Sequence, residues 1–325
     1  MFKKVLIVFI ALILLGCSPK TPDTTQKLRF AVPNNMVAAL VVVAQNKGYF
    51  AAKNITIEQQ TVTNAKMAND LLLANQADMA VGADGPFSFL SFGEHPVRVV
   101  AQTMQNFEVG IFANRTAGIK TEDDLKGKRL GYLPGTVSFL YLAELMEQKG
   151  WHLDDFKLAP LQPPAMPQAL IGKQIDAFSM WEPWGYNAMQ QLGDDGVVLR
   201  QKNLYHFVSM VVVRNDFMKA NPETVKGVLR ALIKAEKFVA TNPKAAIKIW
   251  AEAFKLDEAY LTANQDLYQF KVQLDNSLVK KMDRNARMIK TYMPDYAEKP
   301  APNFAPLIDP TYLQHVDSAR VKLKP

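Results

Sequence analysis

The sequence predicts an α/β protein of two similar lobes, each a mainly parallel sheet flanked by helices. Three observations carry this. Strand and helix signals alternate twice in the order β-α-β-α-β, the pattern that gives parallel sheets with helices on their faces. The chain has 325 residues, 49% of them hydrophobic, which is enough for two cores. A single cysteine rules out a disulfide framework or a thiolate zinc cluster, so packing has to hold the fold.

The first run opens with a strand at 28–32. Met36, Leu40, Val43 and Ala44 then recur at helical spacing up to Lys47-Gly48, a stop signal. A strand follows at 55–62, a helix at 66–76 capped by Asn64, a short strand at 77–81, a helix from Pro86 to Phe92 and a strand at 97–104. The second run has strands at 128–132, 156–161, 176–180 and 197–200. Its helices lie at 136–149, stopped by Gly150, and at 166–172. A long apolar strand comes at 207–214. Beyond it the chain reads as helical to about Tyr292, with Asn221-Pro222, Asn242-Pro243 and Asp257 as helix starts. The Pro-rich last thirty residues read as a wrap over the surface. Open sheets bind ligands beyond the carboxyl ends of their strands, so two such lobes imply a cleft with its informative residues just after strands.

The first residues read as an address. Lys3 and Lys4 precede an apolar stretch from Val5 to Leu15, too short to span a hydrocarbon core of ~30 Å. Leu14-Leu15-Gly16-Cys17 forms a lipobox, so residues 1–16 are a signal peptide and Cys17 accepts the lipid. Residues 17–27, polar and carrying two prolines, form a tether that holds the body near a membrane surface. Lys and Arg total 38 against 31 Asp and Glu; removing Lys3 and Lys4 with the leader lowers the net charge from +7 to +5. That excess is modest, and no basic run interleaved with aromatics accompanies it, so no nucleic acid is expected as a partner.

Several segments, in order, resemble one family. They include Leu28-Arg29-Phe30, Lys47-Gly48-Tyr49-Phe50, Gln76-Ala77-Asp78 and the run from Asp124 to Gly131. Pro134-Gly135-Thr136, Gln162-Pro163-Pro164, Asp176-Ala177, Trp181-Glu182-Pro183 and Val213-Arg214-Asn215-Asp216-Phe217 continue the series. Together they are similar to the nitrate/sulfonate/taurine solute-binding proteins of ABC importers, whose pattern the thiamine-pyrimidine-precursor binders share. The resemblance spans roughly residues 28–255. It implies a type II periplasmic-binding fold in which two crossover strands, near 107–114 and 205–214, join lobes that close by hinge motion. Lobe one is then 28–108 together with 208–325, and lobe two 109–207. The implied partners are a small-molecule ligand, an ABC permease and its ATPase, with the membrane reached through the lipid anchor on a periplasmic or extracellular face; a monomer and no cofactor are expected.

Candidate ligand residues follow strands. Gly135, Thr136, Val137 and Ser138 lead into a helix, where free N–H groups and two hydroxyls cradle an oxyanion or simply cap the helix. Asp84 and Gly85 stand at a family ligand loop where sulfonate binders tend to carry small hydroxylic residues; a carboxylate there holds an amine or caps a turn. Trp181 offers a stacking face and Glu182 an acceptor, with core tryptophan and helix-start glutamate as the alternatives. Asn34 and Asn35 after the first strand and Gln105 and Asn106 after the fourth supply uncharged amides for a small polar ligand, with Phe107 to pack on it, or simply form turns and hinge packing. His206 is read as a hinge or surface residue, and the four histidines are too scattered for a metal cluster.

No nucleophile elbow, phosphate-binding Gly-Lys loop or His-Glu-x-x-His pair is present. The pyrimidine synthases of the same fold carry a cysteine-rich run, which Cys17 alone does not match. The expectation is therefore a solute-binding lipoprotein, not an enzyme. Its ligand is expected to be a small sulfonate, taurine or nitrate type, with a thiamine pyrimidine precursor as the alternative.

Overall fold

The computed structural model describes residues 26–323. The leader, Cys17 and most of the tether lie outside these residues. The chain forms two sheets. Lobe one begins β1 (Gln26–Pro33), α1 (Ala39–Asn46), β2 (Ile55–Val62), α2 (Ala65–Leu73), β3 (Met79–Ala83), α3 (Asp84–Leu90) and β4 (Val97–Asn106). The chain then crosses into β5 (Gly110–Asn114), β6 (Arg129–Tyr132), α4 (Val137–Lys149), β7 (Lys157–Pro160), α5 (Met166–Ile171), β8 (Ala177–Met180), α6 (Trp184–Leu192) and β9 (Gly196–Leu199). It returns through β10 (Phe207–Arg214), α7 (Asn215–Ala220), α8 (Pro222–Thr241), α9 (Pro243–Phe254), α10 (Glu258–Ala263), β11 (Tyr268–Asp275), α11 (Asn276–Tyr292), α12 (Pro294–Ala297), α13 (Thr311–Val316) and β12 (Val321–Lys322).

The lobe-one sheet runs β12-β11-β4-β10-β3-β1-β2, and the lobe-two sheet runs β7-β6-β8-β5-β9. β1 pairs parallel with β2 and β3, and β6 parallel with β7 and β8; β10 and β5 enter antiparallel. The lobes share one device. Arg29 in the middle of β1 grips Asp78 just before β3, with Nε 3.1 Å from Oδ2. Arg129 at the start of β6 grips Asp176 just before β8 at the same distance. Each aspartate also accepts its arginine's backbone N–H, so a bidentate pair pins two parallel strands in register.

Three expectations need correction. Residues 268–275 are a strand inside the stretch expected to be helical, pairing with the edge of β4. The last thirty residues do more than cover the surface: β12 adds an edge strand beside β11, and Ile308 bridges to Val99. Asn221 and Asn242 make no side-chain cap, because helices abut there and each Nδ2 turns back to the preceding helix, at Phe217 O and Phe238 O. Asp257, also expected as a cap, binds the Tyr186 hydroxyl instead.

The sheets are linked at 107–109 and 200–206. Away from these hinges, α11 of lobe one reaches α4 of lobe two: Arg284 pairs with the buried Glu144 and with Glu147, and Arg287 with Glu147. On the second link itself, Lys202 meets Asp266 at 2.6 Å. Among the described residues no helix is long and apolar enough to cross a membrane.

Candidate functional site

A cleft opens where the carboxyl ends of β1 and β3 face those of β6 and β8. Asn35, Lys66, Thr136, Val137, Trp181 and Phe207 are among the residues around its narrow inner part. It widens to a mouth between α2 and the 133–134 and 160–165 segments, sharing Asn64 and Lys66 with the inner part.

Each wall has a local cause. Asn35 follows β1 in extended backbone; its Oδ1 accepts the Val37 N–H at 3.1 Å and its Nδ2 donates to Thr63 O. Asn64 caps α2, accepting from the Met67 N–H at 3.0 Å, and so aims that helix's N-terminus at the cleft. Thr136 caps α4 from the opposite lobe, its Oγ1 accepting from the Ser138 N–H at 3.2 Å. Two positive helix ends thus face one space. Gly135 adopts φ +73°, which lets the chain turn into α4, and the Lys66 side chain lies against it from across the cleft. Lys66 is half-exposed and pairs with Asp70 at 3.0 Å. Trp181 and Phe207, both buried, give flat apolar faces at the inner end.

The expected site residues divide accordingly. Asn35, Thr136, Val137 and Trp181 come together in the cleft, with Gly135 at its edge. Gly85 marks where the lobes touch: a Cβ on it would stand 2.7 Å from Val137 Cγ1 and 3.2 Å from the Val137 nitrogen. Ser138 is spent on structure, donating to Ser179 O at 2.6 Å and accepting the Leu133 N–H. Asp84 and Glu182 hold protein groups rather than an open face. Asp84 accepts the Val208 N–H at 2.7 Å and Asn285 Nδ2 at 2.8 Å, tying β10 and α11 to α3. Glu182 accepts the Tyr186 N–H at 2.7 Å and pairs with Arg200 at 2.9 Å. Asn34 is exposed, with its backbone N–H bound to Val62 O, and Gln105 lines a separate depression with Val208 and Gln269. His206 stacks at a tilt on Phe107, 5.2 Å between centroids, at the second crossing; burial and then Lys281 lower its pKa.

Asn64, Lys66 and Phe207 were missed. Asn64 reads only as a cap, and Lys66 with Asp70 reads as an ordinary surface pair. Glu108 was missed as well. It is fully buried on the first crossing, and burial, followed by the nearby Glu182, raises its pKa to about 8. Among the described residues no group of three or more His, Cys, Asp or Glu is placed to hold a metal ion.

Residues 35–246 match the NMT1/THI5-like family. This chain belongs to that family. It is 27% identical over 229 residues to a Brucella abortus protein whose name proposes a binding protein, covering 69% of this chain and 70% of that one. It is 28% identical over 252 residues to the Saccharomyces cerevisiae 4-amino-5-hydroxymethyl-2-methylpyrimidine phosphate synthase THI13, covering 73% and 68%. Among solved structures, the alkanesulfonate-binding protein SsuA of Xanthomonas axonopodis pv. citri, bound to MOPS, superposes with a TM-score of 0.76 at 18% identity, covering 87% of this chain and 98% of that one. The periplasmic-binding fold expected from the sequence is therefore the fold of this NMT1/THI5-like chain.

Proposed function

We propose that this protein is the extracytoplasmic solute-binding component of an ABC importer, held to a membrane by a lipid on Cys17. It captures a small organic molecule between its lobes and delivers it to a permease and ATPase. The observation that carries this reading is the cleft itself. Two helix N-termini and Lys66 converge on it from both lobes, with Trp181 and Phe207 as flat walls behind them. Positive helix ends and an ammonium favour an acidic or acceptor group on the ligand, and the aromatic faces favour an apolar body. The SsuA likeness supports sulfonates as the first class to test. The yeast relative's name supports pyrimidine precursors as the second.

The reading as a binder rather than an enzyme is supported by what the polar side chains do. Asp84, Ser138 and Glu182, three of the candidate residues near the cleft, are committed to backbone, amide and arginine partners. Thermal unfolding against taurine, alkanesulfonates, nitrate, bicarbonate and aminopyrimidines tests the assignment. A ligand at a hundred times its dissociation constant adds ~2.7 kcal/mol of stability. For an acidic ligand, Lys66→Ala weakens binding about tenfold. A panel without any shift, on protein shown by mass spectrometry to carry no bound molecule, contradicts the proposal.

A further inference from the structure

The hinge side of the cleft gathers buried polar atoms whose hydrogen bonding is incomplete. Asn106 ends β4, Glu108 lies on the first crossing, Trp181 and Trp184 flank Glu182, Arg200 starts the second crossing, and Tyr260 and Tyr268 belong to α10 and β11. Asn106 Nδ2, both Glu108 carboxyl oxygens, Trp181 Nε1, Trp184 Nε1, Arg200 Nε and the hydroxyls of Tyr260 and Tyr268 are all buried and make no hydrogen bond of good geometry; the Glu108 carboxyl lies beside Tyr268 and Asn106, the Tyr260 hydroxyl beside Glu182, and the two indole N–H groups and Arg200 Nε face no acceptor. Native proteins satisfy nearly all buried polar groups, so a concentration of eight such atoms in one place needs a cause. The group adjoins the cleft: Trp181 lines it, and Asn106 pairs across the sheet with Phe207, which also lines it.

We propose that this hinge-side group is the inner end of the ligand site and takes an uncharged head carrying an N–H donor beside a lone-pair acceptor. This rests on the reading of the cleft as a solute site. The inventory of atoms sets the chemistry. Asn106 Nδ2, the two indole N–H groups and Arg200 Nε only donate, so they ask for acceptors on the ligand. The hydroxyls of Tyr260 and Tyr268 serve either way, and the Glu108 carboxyl supplies the acceptor for a ligand N–H. An amide, lactam or amino-azine presents both functions side by side. A sulfonate presents acceptors only and leaves the accepting oxygen of the Glu108 carboxyl without a donor. Glu108 faces Glu182 after β8, Arg200 after β9, Tyr260 of α10, Tyr268 of β11 and Asn106 of β4; with burial dominant, its acid form persists at neutral pH. A neutral carboxyl can donate to a ring nitrogen or carbonyl while its other oxygen accepts an N–H.

Ligand-observed NMR with benzamide and benzenesulfonate tests this, since the two probes share a ring and differ in the head. Benzamide is expected to bind the wild type at about pH 6 and more weakly at about pH 9, where Glu108 ionises. Glu108→Gln keeps both functions and should bind benzamide equally at both pH values. Glu108→Leu should lose at least about tenfold in benzamide affinity. Trp184→Phe, which deletes one donor without touching the carboxyl, should weaken benzamide and leave benzenesulfonate unchanged, and it covers the case of a Leu variant that fails to fold. Preference for benzenesulfonate, benzamide binding indifferent to Glu108→Leu and Trp184→Phe, or no benzamide binding each overturns the inner end. Lys66-dependent benzenesulfonate binding without benzamide binding removes the inner end alone, whereas failure of the whole solute panel removes the cleft reading with it.

Discussion

At the residue scale, Glu108 carries the sharpest consequence for stability. Its folded-state pKa, raised to about 8, lies above the unfolded value near 4.3. The native state therefore binds more protons than the unfolded state between those values, and stability falls as pH rises through that window. Below it both states are protonated and the carboxyl adds no pH dependence. Glu108→Gln removes the linkage. Urea unfolding should find the variant equal to wild type near about pH 4.5 and more stable by on the order of a few kcal/mol near about pH 8. Equal stability at both pH values would show that the carboxyl is solvated. The same scale explains why the sequence left Asp84 and Glu182 open between a ligand and protein partners. A carboxylate just after a strand looks available, yet Asp84 is satisfied by Val208 and Asn285, 124 and 201 positions away. Partners that distant have no local trace, and neither has the burial of Glu108.

At the element scale, the helix ends that face the cleft are set by short side chains, and these were legible. Asn64 was expected to cap α2 and does. Asn64→Ala should destabilise by about 1 kcal/mol, read as a lower urea midpoint, and should weaken ligand binding in parallel because the cap also aims the helix end at the site. A stability loss with unchanged affinity would separate the cap from the site. The β-α-β-α-β runs were legible because their hydrophobic periods switch cleanly between strand and helix. β11 was not. Its burial is uneven along Tyr268–Asp275, and it pairs with a β4 more than 160 residues earlier, so only tertiary context makes it a strand. The Pro-led starts at 222 and 243 were correctly placed, but butted helices left the preceding asparagines with the wrong neighbours for capping.

At the scale of the whole molecule, the lobes approach closely enough at Gly85 and Val137 that no side chain fits between them. Gly85→Val should hold α3 and α4 apart. Small-angle scattering is expected to report a larger radius of gyration in the variant with ligand present, and affinity should fall at least about tenfold. An unchanged radius would place closure elsewhere, for instance at the Arg284, Glu144 and Glu147 contact between α11 and α4. The two-lobed plan could be read from the doubled pattern, and the twin Arg-Asp pairs at 29/78 and 129/176 are its physical counterpart. How the lobes meet could not, because that depends on α11 returning from the far end of the chain.

The central claim is that one small molecule binds between the lobes. Calorimetric titration of the solute panel into wild type and Trp181→Ala tests it most directly. The account predicts one-to-one binding of one ligand class, weakened at least about tenfold by the variant. Binding of equal strength in both proteins, or heat from no member of the panel with an unloaded cleft, would contradict it.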